Sequence, residues 1–139
     1  MEFFISACTF TLLLGLFISP VLLIRFIQRA NIKNAFLFYM FIGVVIAAVL
    51  TTLFAWWTNT SDLLLLEHYG YNMDGMNETE FYGNVLPAHL KQVKNLEKNI
   101  MGIGWPLKAI LFFVCFLPYL FFVYAMTQLI KRRKKGSSL

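Results

Sequence analysis

The chain has 139 residues, of which 59% are hydrophobic and 14% charged, with a mean hydropathy of +0.67 and a net charge of +5. Soluble domains run nearer about 45–50% apolar and about 25% charged. The composition therefore excludes a disordered chain and an ordinary soluble globule, and the length fits a single domain.

The apolar residues fall in three runs. The first, Phe3–Ile24, contains no charge. The second, Ala35–Trp57, is also free of charge, and the third, Ala109–Ile130, has Gln128 as its strongly polar side chain. A helix rises about 1.5 Å per residue, so each run reaches roughly 33 Å, enough for a hydrocarbon core roughly 30 Å thick. No water is available there, and a helix satisfies its own backbone hydrogen bonds. The runs predict an all-α integral membrane protein with three transmembrane helices at about 3–24, 35–57 and 107–130. A cleaved signal peptide would begin with a basic region and end in a small-residue site. Here Glu2 is acidic and the run ends Leu22-Leu23-Ile24-Arg25, so the first helix is expected to be retained.

The charges are sorted by position. Of the twelve Lys and Arg residues, Arg25, Arg29 and Lys33 lie in the link between the first two helices, and Lys131, Arg132, Arg133, Lys134 and Lys135 follow the third. Three spans put these eight on one side. The other side holds Glu2 and a segment with six acidic residues against four Lys. The positive-inside rule then predicts an outside N-terminus and a cytoplasmic C-terminus. Basic residues beside a span attract anionic lipid, so Arg25, Arg29, Lys131, Arg132 and Arg133 are read as lipid and orientation anchors. The net positive charge is accordingly no sign of nucleic acid, and membrane lipids are the expected neighbours. The predicted site is the inner, cytoplasmic-type membrane of a bacterium.

Small residues recur every fourth position: Ala7, Thr11, Gly15 and Ser19 in the first helix, and Gly43, Ala47, Thr51 and Ala55 in the second. That spacing keeps each set on one helix face, and small faces let helices approach closely in lipid. The expectation is a tight hairpin of the first two helices, with binding of a partner helix as the alternative use. The third helix is ringed by aromatic side chains, and Pro20 and Pro118 each remove a backbone donor.

The segment 58–106 is too long for a plain connection and predicts an extracytoplasmic helical loop. Ser61 is positioned to cap a short helix, Asp62–Tyr69, that Gly70 would stop. Asn77 with Glu80 resembles a capping box. Pro87 opens a predicted amphipathic helix at about 87–101, with Leu86, Leu90, Val93, Ile100 and Met101 on one side and Lys91, Lys94 and Lys98 on a flank. Glu97 falls inside the apolar arc and needs a partner, for which Lys94 three residues earlier is the nearest.

The predicted spans hold no Asp, Glu, Lys, Arg or His, the residues from which proton relays and voltage sensors are built. Candidate catalytic groups are confined to the loop: His68, Asp74, His89 and Glu97. The two His are 21 residues apart with no His-x-x-x-His step, so no metal and no cofactor is predicted. The stretch Tyr69–Asn77, rich in turn formers and aromatics, reads as a recognition loop, with Tyr69, Tyr71, Asp74 and Glu97 as partner-binding candidates. Asn77-Glu78-Thr79 matches a glycan acceptor pattern.

Two functions fit these residues. The first is a non-enzymatic accessory or interaction subunit of a larger membrane complex, or an inhibitor or immunity-type partner of another membrane protein. Its partner would be another membrane protein or a second copy of the chain. The alternative is an interfacial enzyme or assembly factor acting on lipid or lipid-linked substrate through the outer loop.

Overall fold

The computed structural model describes residues 1–30 and 32–136, with side chains through Arg133. The side chains of Lys134 and Lys135 lie outside the described residues. Five helices follow one another, and no strand occurs among the described residues: α1 (Glu2–Arg29), α2 (Ala35–His68), α3 (Glu78–Phe81), α4 (Leu90–Met101) and α5 (Trp105–Gly136). Three of them, α1, α2 and α5, are long and apolar enough to cross a membrane. The protein is an all-α integral membrane protein with a helical segment between its second and third spans.

α2 is the spine. Its 34 residues reach roughly 51 Å, about 20 Å more than the hydrocarbon core needs. The excess carries the segment 69–104, here called the cap, because α4 packs on the last turns of α2. The sequence predicted a break near Ser61 and a new helix behind it. Instead the helix runs through: Ser61 donates its hydroxyl to the Thr58 carbonyl at 2.9 Å, so it serves the helix from within rather than capping a second one. Gly70 ends α2. Its N–H bonds the Glu67 carbonyl and the Tyr71 N–H bonds the Leu66 carbonyl, each at 3.0 Å, the Schellman arrangement. Gly70 sits at φ +82, and a Cβ there would meet the Asn84 carbonyl oxygen at 2.7 Å. Glycine is required at that turn by both handedness and space.

Within the membrane trio, α2 packs against α1 and α5, while α1 and α5 touch only briefly. The core is Ile24, Ile27, Tyr39, Ala47, Phe116 and Leu120. The small face of α2 lies inside it: Gly43, Ala47, Thr51 and Ala55 are all buried. The small face of α1 does not. Ala7, Thr11 and Gly15 are exposed, Ser19 is half-buried, and a Cβ on Gly15 would meet nothing within 4 Å. α1 instead buries Ile5, Pro20, Ile24 and Ile27, with Ile24 and Ile27 in the core beside Ala47 and Leu23 reaching toward Gly43. One small face per interface suffices for close approach, so the hairpin needs only that of α2.

Hydrogen bonds pin the trio at three points. Tyr39 donates to the Leu120 carbonyl at 3.1 Å, Tyr119 to the Phe17 carbonyl at 3.0 Å, and Trp57 Nε1 to Thr9 Oγ1 at 3.1 Å. Pro20 cannot serve the Leu16 carbonyl, and the neighbouring Ser19 hydroxyl does so at 3.0 Å. Cys8 and Cys115 are both free thiols.

The cap departs from the predicted limits for local reasons. α3 begins at Glu78 with Asn77 as its N-cap residue, whose carbonyl accepts from the Glu80 and Phe81 N–H groups. Its side chain makes no capping bond, and the Glu80 carboxylate takes the Met76 N–H at 2.9 Å, one residue before the expected partner. α4 begins at Leu90 rather than Pro87, because residues 87–89 form a turn closed by the His89 N–H on the Leu86 carbonyl at 2.9 Å.

Candidate functional site

The cap has its own core of Leu66, Tyr71, Val85 and Val93. Leu66 comes from the last turns of α2, Tyr71 from the turn behind Gly70, and Val93 from the buried face of α4. Tyr71 stacks on Phe81 with ring centroids 5.7 Å apart and planes 6° from parallel, and meets Tyr82 edge-on at 5.5 Å. The Asn72 N–H joins this turn to α3 through the Phe81 carbonyl at 3.0 Å.

Glu97 is held by this aromatic group. Tyr71 donates its hydroxyl to one carboxylate oxygen at 3.0 Å, and Tyr82 donates to the other. The sequence offered Lys94 as its partner. Lys94 is turned onto the Tyr82 ring instead, its Nζ 5.8 Å from the centroid. The phenols pay for their attachment to a carboxylate in acidity. Burial, then the Glu97 hydrogen bond and charge, raise the Tyr71 pKa. The Glu97 hydrogen bond first, then burial, push Tyr82 up to about 12. Both hydroxyls keep their protons at neutral pH and act as donors, which a carboxylate among apolar side chains requires.

Above this network lies a cleft of about 270 Å³, walled by Leu63, Leu66, Phe81, Ile100, Met73 and Met101, with Tyr71 and Glu97 within it. Met101 is 68% exposed and Met73 46%. Nearby, Met76 stands 89% exposed. Methionines are flexible and polarisable, and surfaces built from them adapt to apolar partners. Lys91, Lys94 and Lys98 are exposed along α4.

Other predicted residues gather on a different side of the cap. His68, Tyr69 and His89 form a row of rings, with centroids 5.7 Å apart for His68–Tyr69 and 4.8 Å for the stacked Tyr69–His89 pair. The Tyr69 hydroxyl donates to Glu2, a residue that counted in the sequence only toward the retention and orientation of the first helix. His89 Nδ1 lies 3.0 Å from Gln92 Oε1. An open cavity of about 620 Å³ borders His68, Tyr69, His89, Glu2 and Asn84. No group of three or more His, Cys, Asp or Glu suited to a metal occurs among the described residues.

The four catalytic candidates are therefore divided. His68 and His89 share the open cavity, Glu97 is bound to two tyrosines, and Asp74 joins neither. Asp74 is exposed in a turn where its N–H bonds Asn72 Oδ1 at 3.2 Å. Of the partner-binding candidates, Tyr71 and Glu97 meet in the cleft and Tyr69 faces the cavity. Tyr82, Phe81, Met73 and Glu2 were not singled out. Met73 falls within the Tyr69–Asn77 stretch, while no sequence signal marked Phe81, Tyr82 or Glu2 as site residues. Fold and site together define a three-span membrane protein with an ordered, helical cap. No family model, curated protein sequence or solved structure matches the chain.

Proposed function

We propose that the protein is a non-enzymatic, multi-pass accessory or interaction subunit that engages another membrane protein through its cap, as a complex component or as an inhibitor or immunity-type partner. The observation that carries this reading is the methionine-walled cleft. It combines an aromatic floor with apolar walls that include two adaptable methionines, and Lys94 lies outside the lining on the Tyr82 ring, which suits a partner segment with apolar anchors and an acidic flank. The use of Glu97 as an acceptor for two tyrosines favours a structural over a catalytic duty. The outward Ala7, Thr11 and Gly15 face leaves α1 room for a partner helix beside the cap contact.

In this reading the membrane is the bacterial inner, cytoplasmic-type membrane, with the cap outside. Its support is the exposed set Arg25, Arg29, Lys131, Arg132 and Arg133 at the helix ends remote from the cap. The test is gentle detergent extraction from the native membrane, followed by sizing and mass spectrometry. A stoichiometric second membrane protein is expected, and a lone monomer contradicts the proposal.

A second reading, an interfacial enzyme or assembly factor acting on lipid-linked substrate, draws on the row of His68, Tyr69 and His89 at the open cavity. Alanine at His68, Asp74, His89 and Glu97, with protein levels checked, decides it. Retained cellular activity in all four variants removes the enzyme.

A further inference from the structure

Two cavities follow one another along the α1–α2 interface. The upper, about 410 Å³, is lined by Ser6, Thr9, Leu13, Thr58, Ser61 and Asp62 among others. The lower, about 260 Å³, lies between all three long helices and is almost wholly apolar, with Leu13, Phe17, Phe54, Phe112 and Cys115 in its wall. Leu13 is common to both. The lining positions form one stripe on each helix, Ser6 to Phe17 on α1 and Thr51 to Asp62 on α2. Eleven residues of helix rise roughly 16 Å. Thr58, Ser61 and Asp62 follow the apolar run that ends at Trp57, so the upper cavity lies at headgroup level and the lower one within the hydrocarbon of the adjacent leaflet.

The chemistry of its mouth is one-sided. Thr9 donates its hydroxyl to the Ile5 carbonyl at 2.9 Å while accepting from Trp57 Nε1. Thr58 donates to Ala55 and Ser61 donates to Thr58, each at 2.9 Å. These three hydroxyl protons are committed to helix carbonyls. What remains toward the groove is their oxygen lone pairs, the half-buried Asp62 carboxylate and, as a donor, the Ser6 hydroxyl, so acceptors dominate. An occupant that suits it brings N–H donors and a positive charge to Asp62, an acceptor such as a phosphate oxygen to Ser6, and an apolar chain below. Lys108 bears on Asp62 through its charge but makes no hydrogen bond to it; its ammonium donates to the Asn99 carbonyl at 2.8 Å.

We propose that this groove binds one phospholipid with a primary-amine headgroup, its ammonium on Asp62 and one acyl chain in the cavity beneath Leu13. A primary ammonium has three N–H donors, whereas a quaternary one has none and a glycerol headgroup carries no positive charge. The site therefore selects phosphatidylethanolamine over phosphatidylcholine and phosphatidylglycerol. It lies below the cap and is independent of the cleft proposed to bind protein.

The full chain is reconstituted in nanodiscs of equimolar phosphatidylethanolamine, phosphatidylcholine and phosphatidylglycerol, re-extracted in mild detergent, and the retained lipid is read by native mass spectrometry. The expected result is retention of phosphatidylethanolamine over the other two by roughly tenfold, the ratio one charge-assisted hydrogen bond supplies. Asp62→Asn should bring that ratio close to parity, and Cys115→Phe, which fills the lower cavity, should cut total retained lipid without changing the ratio. Retention that mirrors the disc composition, a preference for phosphatidylglycerol, or a preference that survives Asp62→Asn overturns the proposal. If Asp62→Asn does not fold, a phosphatidylethanolamine with a photoreactive acyl chain is used on the wild-type protein. Labelling concentrated at Phe112–Phe116 supports the groove, and labelling spread over the lipid-facing surface refutes it.

Discussion

The trio and the cap share one helix but hold together by different means. Around α2 in the membrane, neighbouring lipid is as apolar as leucine, so burying apolar surface gains little over leaving it in lipid. Closeness decides there, and the small residues Gly43, Ala47, Thr51 and Ala55 permit it. Past Ser61 the same helix enters the cap, where large apolar side chains, Leu66 and Val93 among them, are withdrawn from contact and a carboxylate is closed in by two phenols. One continuous helix thus carries small residues where it must be approached and large ones where it must be covered.

This contrast is broken most strongly by truncating the cap core. Leu66 is 2% exposed, and Leu66→Ala should cost about 2–5 kcal/mol. The loss should appear as rapid proteolysis within residues 69–104, with the thermal transition of the three long helices unchanged. Melting of both regions together would show that trio and cap are one cooperative unit.

The converse change enlarges the small face. Ala47 is 1% exposed against the Leu120 layer, and Ala47→Phe should cost about 1–3 kcal/mol by overpacking, read as thermal unfolding in detergent.

A pH titration sharpens the polar half of the comparison. The Tyr82 pKa in the folded cap, about 12, lies above the ordinary value of 10.0. A proton held more tightly in the folded state stabilises it, so the contribution is fully present below pH 10 and is lost as pH rises toward 12. Tyrosinate absorbance should show a phenol titrating late. Tyr82→Phe should reduce that late component by one phenol, and Glu97→Gln should move the Tyr82 share of it to lower pH.

The smallest effect is expected on α1. Gly15→Leu enters open space, so its change in thermal stability should stay within about 0.5 kcal/mol. A large loss would mean that the small face of α1 packs within the monomer after all.

The three spans were legible because length and missing charge act locally, and the Gly70 stop was legible because only one residue type fits that turn. The break at Ser61 was misread because a serine can cap a helix or bond back into it, and the surroundings choose. The oddity of Glu97 was visible from its place among apolar residues. Its partners were not, since Tyr71 and Tyr82 lie 26 and 15 residues away and only the folded cap brings them in. The periodicity of Ala7, Thr11 and Gly15 puts them on one face, but periodicity names no neighbour, and that face is exposed.

The central claim is that the methionine-walled cleft of the cap receives another membrane protein. A photoreactive residue placed in living cells at Met73 or Met101, with Leu37 at the opposite end of α2 as the control, tests it directly. The expected result is one discrete protein adduct from Met73 and Met101, absent from Leu37 and abolished by Lys94→Glu. The same adducts from all three positions, or lipid adducts alone from the cleft, would contradict it.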